Sequence, residues 1–305
     1  LSLSLSLLLL PLPSLSSCSN SCGSLPVRYP FGTGYGCGSP QFYPSVTCAT
    51  DDRSGNGESH LVLTTHTGIY PITSISYSTS TLILSPPTMS NCSTMFHSTP
   101  NFGLDWSGPF QLGPSLFVLL DCPAPTSSLT YRGSTPICDA TETHLCASLH
   151  ACPAMPSLGL PIFAPANSCC VYSPASLGPK GELDLQALRC AAYTSVMSYG
   201  DVPTDPLLWQ YGVVLKFGQT GVEEYGAAEA CAACESSGGT CGYAPPRNSF
   251  LCVCKSGANT SVDCTGQEKT AREYFWASRG KPLLPSDGNL LLISFVILAF
   301  FVVAF

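Results

Sequence analysis

The sequence predicts a mainly β, disulfide-rich fold of small antiparallel-sheet modules, with long loops, a few short helices and an apolar C-terminal helix. Three observations lead to this prediction. The 18 cysteines are an even number, which allows a complete set of disulfides. The 27 glycines and 27 prolines divide the chain into short runs, and such runs favour strands and turns. Only 10% of the residues are charged, well below the ~25% of ordinary soluble domains.

The first residues, 1–17, predict a secretory signal peptide. An apolar block at 7–10 precedes small residues, and Ser14-Leu15-Ser16 fits a cleavage site. Because the chain begins with Leu1, we expect the start of this signal to be truncated. Secretion agrees with the cysteine content, since thiols in the cytosol are kept reduced.

The last residues, 290–305, read LLLISFVILAFFVVAF and carry no charge. They predict an apolar helix that follows a juxtamembrane spacer at 265–289. A membrane-spanning helix needs roughly 20 apolar residues, whereas a glycolipid-anchor signal needs small residues, a polar spacer and an apolar tail. Ser278-Arg279-Gly280 could begin the second pattern, so both alternatives stay open. Either one places the body of the chain on the extracellular face of the plasma membrane.

Between these ends we expect three units, at 18–122, 123–189 and 190–264. The first and third contain short β-branched or alternating runs typical of antiparallel strands. The middle unit is rich in proline, with a Pro/Ser/Thr-rich linker at its start, and predicts irregular structure. The predicted elements are strands at 60–64, 69–77, 81–85, 116–121 and 213–217, one short helix in the segment 183–196, and a short Ala-rich helix at 223–235.

The opening of the first unit carries four ordered sequence blocks. They are Ser21-Cys22-Gly23, Val27-Arg28-Tyr29-Pro30-Phe31-Gly32, Gly36-Cys37-Gly38-Ser39-Pro40-Gln41-Phe42 and Thr47-Cys48. This series closely resembles the galacturonan-binding domain of plant wall-associated receptor kinases, and the resemblance continues to about residue 122. It implies a domain that binds pectin, a polymer of galacturonic acid, at the plant cell wall.

The segment 190–264 carries a second resemblance. Its Cys-x-x-Cys, Cys-Gly-Tyr and Cys-x-Cys spacings resemble the Cys-rich C-terminal module of the same receptor ectodomains. The EGF-like cysteine order that this resemblance implies would pair Cys231 with Cys241, Cys234 with Cys252, and Cys254 with Cys264. Zinc is the rival explanation for such cysteine spacings, but a secreted chain oxidises its thiols first, so we expect no metal and no cofactor.

All cysteines are disulfide candidates, although spacing alone does not fix their connectivity. They are Cys18, Cys22, Cys37, Cys48, Cys92, Cys122, Cys138, Cys146, Cys152, Cys169, Cys170, Cys190, Cys231, Cys234, Cys241, Cys252, Cys254 and Cys264. Two sequons, at Asn91 and Asn259, predict N-glycosylation.

The candidate ligand-binding residues lie in the opening blocks and combine aromatic rings with one cation. They are Arg28, Tyr29, Phe31, Tyr35, Phe42 and Tyr43. The alternative is that Tyr29, Phe31 and Phe42 form the core of a small disulfide-bonded unit, which leaves Arg28 as the least ambiguous member. The charge agrees with pectin only in part, because residues 1–150 hold three basic and seven acidic side chains.

Three classes of function stay open. The first is a cell-surface module that binds cell-wall polysaccharide, the second a protein-interaction ectodomain that pairs with a co-receptor, and the third a secreted hydrolase. The net charge of −7 excludes a nucleic-acid-binding protein, which needs Lys and Arg against phosphates. The chain contains no kinase signature and no Gly-x-Ser-x-Gly motif, so we expect it not to be an enzyme. Whether a kinase follows in a longer gene product stays open.

Overall fold

The computed structural model describes residues 18–50, 57–98, 101–105, 108–126, 129–131, 135–139, 143–160, 168–172, 182–218 and 222–265. The described residues from Cys18 to Cys264 form one compact unit. The predicted signal peptide, the spacer after residue 265 and the apolar segment 290–305 lie outside the described residues. No helix within the described residues is long and apolar enough to cross a membrane.

Strands dominate the described residues, which confirms the mainly β, disulfide-rich class. The first part of the chain contains β1 (Ser21–Cys22), β2 (Leu25–Pro26), β3 (Val46–Thr50), β4 (Ser59–Thr65), β5 (Gly68–Ser76), β6 (Thr81–Leu84), β7 (Phe102–Gly103), β8 (Phe110–Leu112) and β9 (Leu116–Leu120). The middle contains β10 (Thr130–Tyr131), β11 (Thr135–Pro136), α1 (Thr143–Leu149), β12 (Cys170–Tyr172), β13 (Glu182–Leu183) and α2 (Leu185–Leu188). The last part contains β14 (Ala192–Ser198), β15 (Gln210–Tyr211), β16 (Val213–Phe217), α3 (Val222–Ser236), β17 (Thr240–Ala244), β18 (Ser249–Val253) and β19 (Asn259–Thr260).

The largest sheet has six antiparallel strands in the order β3-β4-β5-β6-β16-β8. Strands β6 and β16 of this sheet alternate between buried and more exposed side chains, as the two-residue period of a strand predicts. In β16, Val213, Leu215 and Phe217 are buried while the residues between them are not. Leu215 lies opposite Leu82 of β6. Strand β16, from the predicted third unit, therefore completes a sheet whose other strands come from the first unit.

A second sheet has four antiparallel strands in the order β12-β9-β14-β15. Both faces of β9 are buried, because Phe117 and Leu119 join one hydrophobic cluster while Val118 and Leu120 join another. The second cluster also contains apolar residues of α1 and of the 3-10 helix Met155–Leu158. This sheet therefore separates two cores and has a hydrophobic layer on each side.

The middle region is more regular than the sequence predicts. Strand β12 lies beside β9, and its residues Cys170, Val171 and Tyr172 are all buried. Proline breaks the segment into short pieces, as expected, but burial against β9 orders these pieces. The division of the chain into family modules at residues 122 and 189 stays a prediction. The sheets cross both of these positions.

The short helix predicted from the spacing in 183–196 is present, but most of that segment is not helical. The helix is confined to Leu185–Leu188 and ends at Arg189, whose φ of 56° is left-handed. Beyond it, β14 begins at Ala192 and pairs with β9. The β-branched side chains of Thr194 and Val196 fit a strand better than a helix. The predicted strands at 60–64, 69–77, 81–85, 116–121 and 213–217 and the helix at 223–235 are confirmed within one or two residues.

All 18 cysteines form disulfides. The pairs are 18–37, 22–48, 92–152, 122–190, 138–170, 146–169, 231–241, 234–252 and 254–264. The three pairs implied by the family resemblance, within 231–264, are confirmed. The neighbouring residues Cys169 and Cys170 pair with different partners, which ties α1 and the segment before it to strand β12.

We predict that Phe31→Ala lowers the free energy of unfolding by about 3–5 kcal/mol, as for a fully buried aromatic ring. The ring of Phe31 contacts Phe42 and Phe217 at centroid distances of 5.0 and 4.7 Å, so its loss leaves a cavity between distant segments. Urea unfolding of the oxidised chain measures the change. The exposed Ile69→Ala serves as the control and should change stability by ~0.5 kcal/mol or less. Equal effects of both substitutions would contradict this packing.

Candidate functional site

The opening segment, residues 18–48, is held in shape by two disulfides and close backbone contacts. Cys18 pairs with Cys37 and Cys22 with Cys48. A Cβ atom on Gly38, which has a φ of +69°, would lie 2.5 Å from the carbonyl carbon of Phe31. Only glycine fits such a left-handed position at that distance without displacing the backbone. The Gly-Cys-Gly block therefore folds back on the Tyr-Pro-Phe-Gly block.

The Cys-rich segment, residues 222–264, packs around its own disulfides. Its hydrophobic cluster consists of Cys231, Cys234, Cys241, Cys252 and Cys254. Helix α3 and the hairpin of β17 and β18 are joined by two of the disulfides. The hairpin thus has almost no apolar core of its own, and the disulfides hold it together.

The opening segment and the Cys-rich hairpin contact each other through their backbones. The N–H of Gly38 donates to the carbonyl of Cys241 at 2.8 Å, and the N–H of Tyr243 donates to the carbonyl of Gly36 at 2.9 Å. Cys37 and Gly242 face each other as an isolated antiparallel bridge. We call this contact the glycine bridge.

A cleft of about 380 Å³ lies between the two segments and falls within the range of small-ligand sites. From the opening segment it is lined by Ser19, Asn20, Val27, Arg28, Tyr29 and Phe31. From the Cys-rich segment it is lined by Glu235, Gly238, Gly239, Thr240, Cys241 and Lys255. The cleft therefore exists only where the two segments meet.

Two cations face this cleft in a chain with few cations. The described residues contain five Lys or Arg side chains, which are Arg28, Arg189, Lys216, Arg247 and Lys255. Arg28 and Lys255 line the cleft, and both are exposed. Neither forms an ion pair within the described residues, where every ion pair involves a histidine. The cleft thus presents two unpaired cations to solvent.

One carboxylate, that of Glu235, accompanies the two cations. Its Oε1 atom accepts a hydrogen bond from the backbone N–H of Tyr29 at 3.3 Å. The backbone N–H of Arg28 donates to the hydroxyl of Tyr77 at 2.8 Å. Burial raises the pKa of Tyr77; the charge of Arg28 opposes that rise, and the charge of Glu235 adds to it. The charges of Arg28 and Glu235 therefore both act on the hydroxyl of Tyr77, and both residues line the cleft.

The structure divides the predicted ligand-binding residues into three groups. Arg28 and Tyr29 line the cleft, and Tyr29 also packs against the cystine cluster. Phe31 also lines the cleft, but Phe31 and Phe42 are only 2% and 1% exposed, which favours the alternative that they are core; ligand contact by either ring stays a prediction. Their rings are needed for the core between β3, β8 and β16. Tyr35 and Tyr43 are half-buried and do not line the cleft.

Sequence reasoning missed Lys255 and Glu235, because it placed the binding site in the opening segment alone. Lys255 follows Cys254 directly, and Cys254 is fixed by its disulfide to Cys264. A lone lysine inside a cysteine-rich module of an acidic chain was the available signal. Joining it to Arg28 requires the contact between segments more than 200 residues apart in sequence.

Zinc binding, the rival explanation for the cysteine spacings, would require free thiolates. Two clusters of possible metal ligands occur in the described residues, Cys252 with Cys254 and Cys264, and Cys231 with Glu235 and Cys241. Every cysteine of both clusters is in a disulfide. Zinc binds the thiolate rather than the disulfide form of cysteine.

The two predicted glycosylation sites lie at the surface of the described chain. Asn91 is half-buried, and its side-chain oxygen accepts from the backbone N–H groups of Ser93 and Thr94, at 2.9 Å each. Asn259 is exposed in β19. Attachment of glycans at either position stays a prediction.

Comparison with protein families agrees with this division into two segments. Residues 18–86 match the wall-associated receptor kinase galacturonan-binding family. Residues 211–257 match the wall-associated receptor kinase C-terminal family. These two matches support a wall-associated receptor kinase-like ectodomain for this chain. No kinase family matches it, and no curated protein or solved structure matches it either. The cleft of this ectodomain takes one wall from each matched family segment.

We predict that Gly242→Ala separates the glycine bridge. A Cβ atom at this position would lie 2.3 Å from the carbonyl oxygen of Gly36, so the two backbones have to move apart. Amide exchange followed by NMR should show faster exchange at the N–H groups of Gly38 and Tyr243. Gly34→Ala is the matched control, since nothing lies within 4 Å of the position that its methyl group would take. Unchanged exchange in Gly242→Ala would show that the bridge does not depend on this glycine.

Proposed function

We propose that this ectodomain binds acidic cell-wall polysaccharide, galacturonan, in the cleft between its two family segments. The observation that carries the proposal is the pairing of Arg28 and Lys255 in one cleft. The whole chain has a net charge of −7. Two unpaired cations at one small site therefore make this site locally positive relative to the rest of the chain. Uronic-acid carboxylates are the groups in a pectin chain that such cations would bind.

The two cations are suited to different tasks. A guanidinium binds a carboxylate through two parallel N–H bonds, which fixes the orientation of the sugar. An ammonium on a long flexible stem acts as a point charge and tolerates several ligand positions. Arg28 is held by its own backbone bond to Tyr77, whereas Lys255 lies on an exposed turn after β18. We therefore assign orientation of the bound uronate to Arg28 and attraction to Lys255.

The cleft also supports a binding role rather than hydrolysis. Glycoside hydrolysis uses two carboxyl groups, one on each side of the scissile bond. Glu235 is the single carboxylate among the residues that line the described cleft. The families that match this chain are ectodomain families without a catalytic domain. A non-enzymatic, extracellular receptor module fits these observations, with attachment to the plasma membrane through the C-terminal segment as part of the proposal.

A second candidate function, protein interaction, is favoured by one exposed loop between β14 and β15. Val202, Leu207 and Leu208 are 41%, 53% and 57% exposed. The indole of Trp209 and the hydroxyl of Tyr211 donate to carbonyls of this loop at 3.1 and 2.6 Å, which holds it in place. A fixed loop that exposes large apolar side chains fits contact with a co-receptor.

We predict that Arg28→Gln weakens binding of a de-esterified galacturonan hexasaccharide about 10- to 100-fold. This range corresponds to one charged hydrogen-bonded contact of ~1.5–3 kcal/mol. Isothermal titration calorimetry on the intact oxidised chain measures the change. Lys255→Gln should also weaken binding, but less, because an exposed point charge is screened by solvent.

Arg247→Gln is the matched control for both variants. It removes the same positive charge from an exposed position outside the cleft and should leave the affinity unchanged. Equal weakening by all three substitutions would indicate a non-specific charge effect. If the folded wild-type chain does not bind the hexasaccharide, the galacturonan proposal is overturned. The protein-interaction function, carried by the exposed loop at 202–208, would then be the better candidate.

A further inference from the structure

Three tyrosines form a cluster beside the glycine bridge. The rings of Tyr35 and Tyr43 lie edge-to-face with centroids 5.6 Å apart, and Tyr35 contacts Tyr243 in the same manner at 6.3 Å. Tyr243 is only 4% exposed, while Tyr35 and Tyr43 are half-buried. The ring of Tyr43 thus packs on that of Tyr35, which in turn packs on the buried ring of Tyr243; we call these residues the tyrosine cluster.

The side chains of this cluster influence one another electrostatically. Burial raises the pKa of Tyr243; a hydrogen bond with the backbone of Gly36 opposes the rise, and the neighbouring hydroxyls of Tyr43 and Tyr35 add to it. The hydroxyls of Tyr35 and Tyr43 form no hydrogen bond within the part of the chain that the structure describes. These two half-buried hydroxyls are therefore available to donate to, or accept from, a polyol.

The two chain segments that carry the tyrosine cluster contain no charged side chain. Neither the segment 29–50 nor the segment 236–246 contains Lys, Arg, Asp or Glu. A second uronate carboxylate would find no cation in these segments. A neutral sugar unit, by contrast, would meet rings that can stack on its C–H face and hydroxyls that can bond its hydroxyls.

The cluster and the cleft are joined by one strand. Cys241 of β17 lines the cleft, and Tyr243 follows it two residues along the same strand. At a rise of ~3.3 Å per residue the separation of their Cα atoms is about 7 Å. Cys241 and Tyr243 also point to the same face of the strand, because side chains alternate. A saccharide chain that enters the cleft can therefore reach the tyrosine cluster with a neighbouring unit.

We propose that Tyr35, Tyr43 and Tyr243 form a second sugar subsite, which takes an uncharged pyranose, such as a methyl-esterified galacturonate, beside the uronate held in the cleft. This inference rests on the proposed binding of galacturonan by Arg28 and Lys255. It gives the ectodomain a preference for a mixed ligand, in which a free carboxylate and a neutral unit lie close together on one chain.

The test compares two ligands on the intact oxidised chain by calorimetry. One ligand is galacturonic acid dimer, which has only charged units, and the other is a partially methyl-esterified hexasaccharide. Tyr43→Ala should weaken hexasaccharide binding about threefold to tenfold, the size of one stacking contact, and should leave the dimer unaffected. Arg28→Gln should weaken the binding of both ligands. Ile69→Ala, which removes an exposed apolar side chain elsewhere, should change neither.

A second measurement uses the wild-type chain, so it does not depend on whether a variant folds. Tyrosine labelled with ¹³C in the rings should show shifts of the Tyr35 and Tyr43 resonances on addition of the hexasaccharide and not of the dimer. Tyr43→Ala that leaves hexasaccharide binding unchanged, or ring resonances that do not shift, would overturn the subsite while leaving the cleft intact. If the wild-type chain binds neither ligand, the galacturonan proposal on which the subsite rests would be overturned instead.

Discussion

The glycine bridge is the contact on which the binding site depends. Two backbone hydrogen bonds, between Gly38 and Cys241 and between Tyr243 and Gly36, bring together segments about 200 residues apart in sequence. Such an approach requires that no side chain stand between the backbones, and Gly242 meets this requirement. Without the bridge, Arg28 and Lys255 would belong to separate surfaces, and the cleft would have only one wall.

Other contacts lower the conformational entropy that the bridge itself has to offset. The ring of Phe31 packs on Phe217 of β16, so the opening segment and the third unit share a core in addition to the hairpin contact. Disulfides restrict the unfolded chain, typically contributing about 2–4 kcal/mol each, and three of them hold the hairpin that presents Cys241. The short bridge therefore joins two segments whose shapes are fixed independently, and it has to supply orientation more than stability.

Much of the fold could be predicted from the sequence, because its signals are local. Short β-branched or alternating runs mark β5, β6 and β16, and the family order of cysteines predicted the pairs within 231–264 correctly. The short helix predicted in the segment 183–196 covers only Leu185–Leu188, because pairing of β14 with β9 outweighed local helical spacing in the rest of the segment. The site was only half predictable, since Arg28 stands in a recognisable block whereas Lys255 joins it through long-range packing. For Phe31 and Phe42 the sequence left ligand contact and core packing as alternatives, because sequence alone does not separate core rings from surface rings.

The shared cleft can be tested directly with a galacturonan hexasaccharide that carries a photoreactive diazirine at its reducing end. After irradiation of the intact oxidised chain, mass spectrometry of peptides locates the labelled residues. A site built by both segments predicts labels in two regions, around Arg28 and Tyr29 and around residues 238–255, and competition by unlabelled hexasaccharide should remove both. Labels confined to the opening segment, or found away from both segments, would contradict a cleft formed by the glycine bridge.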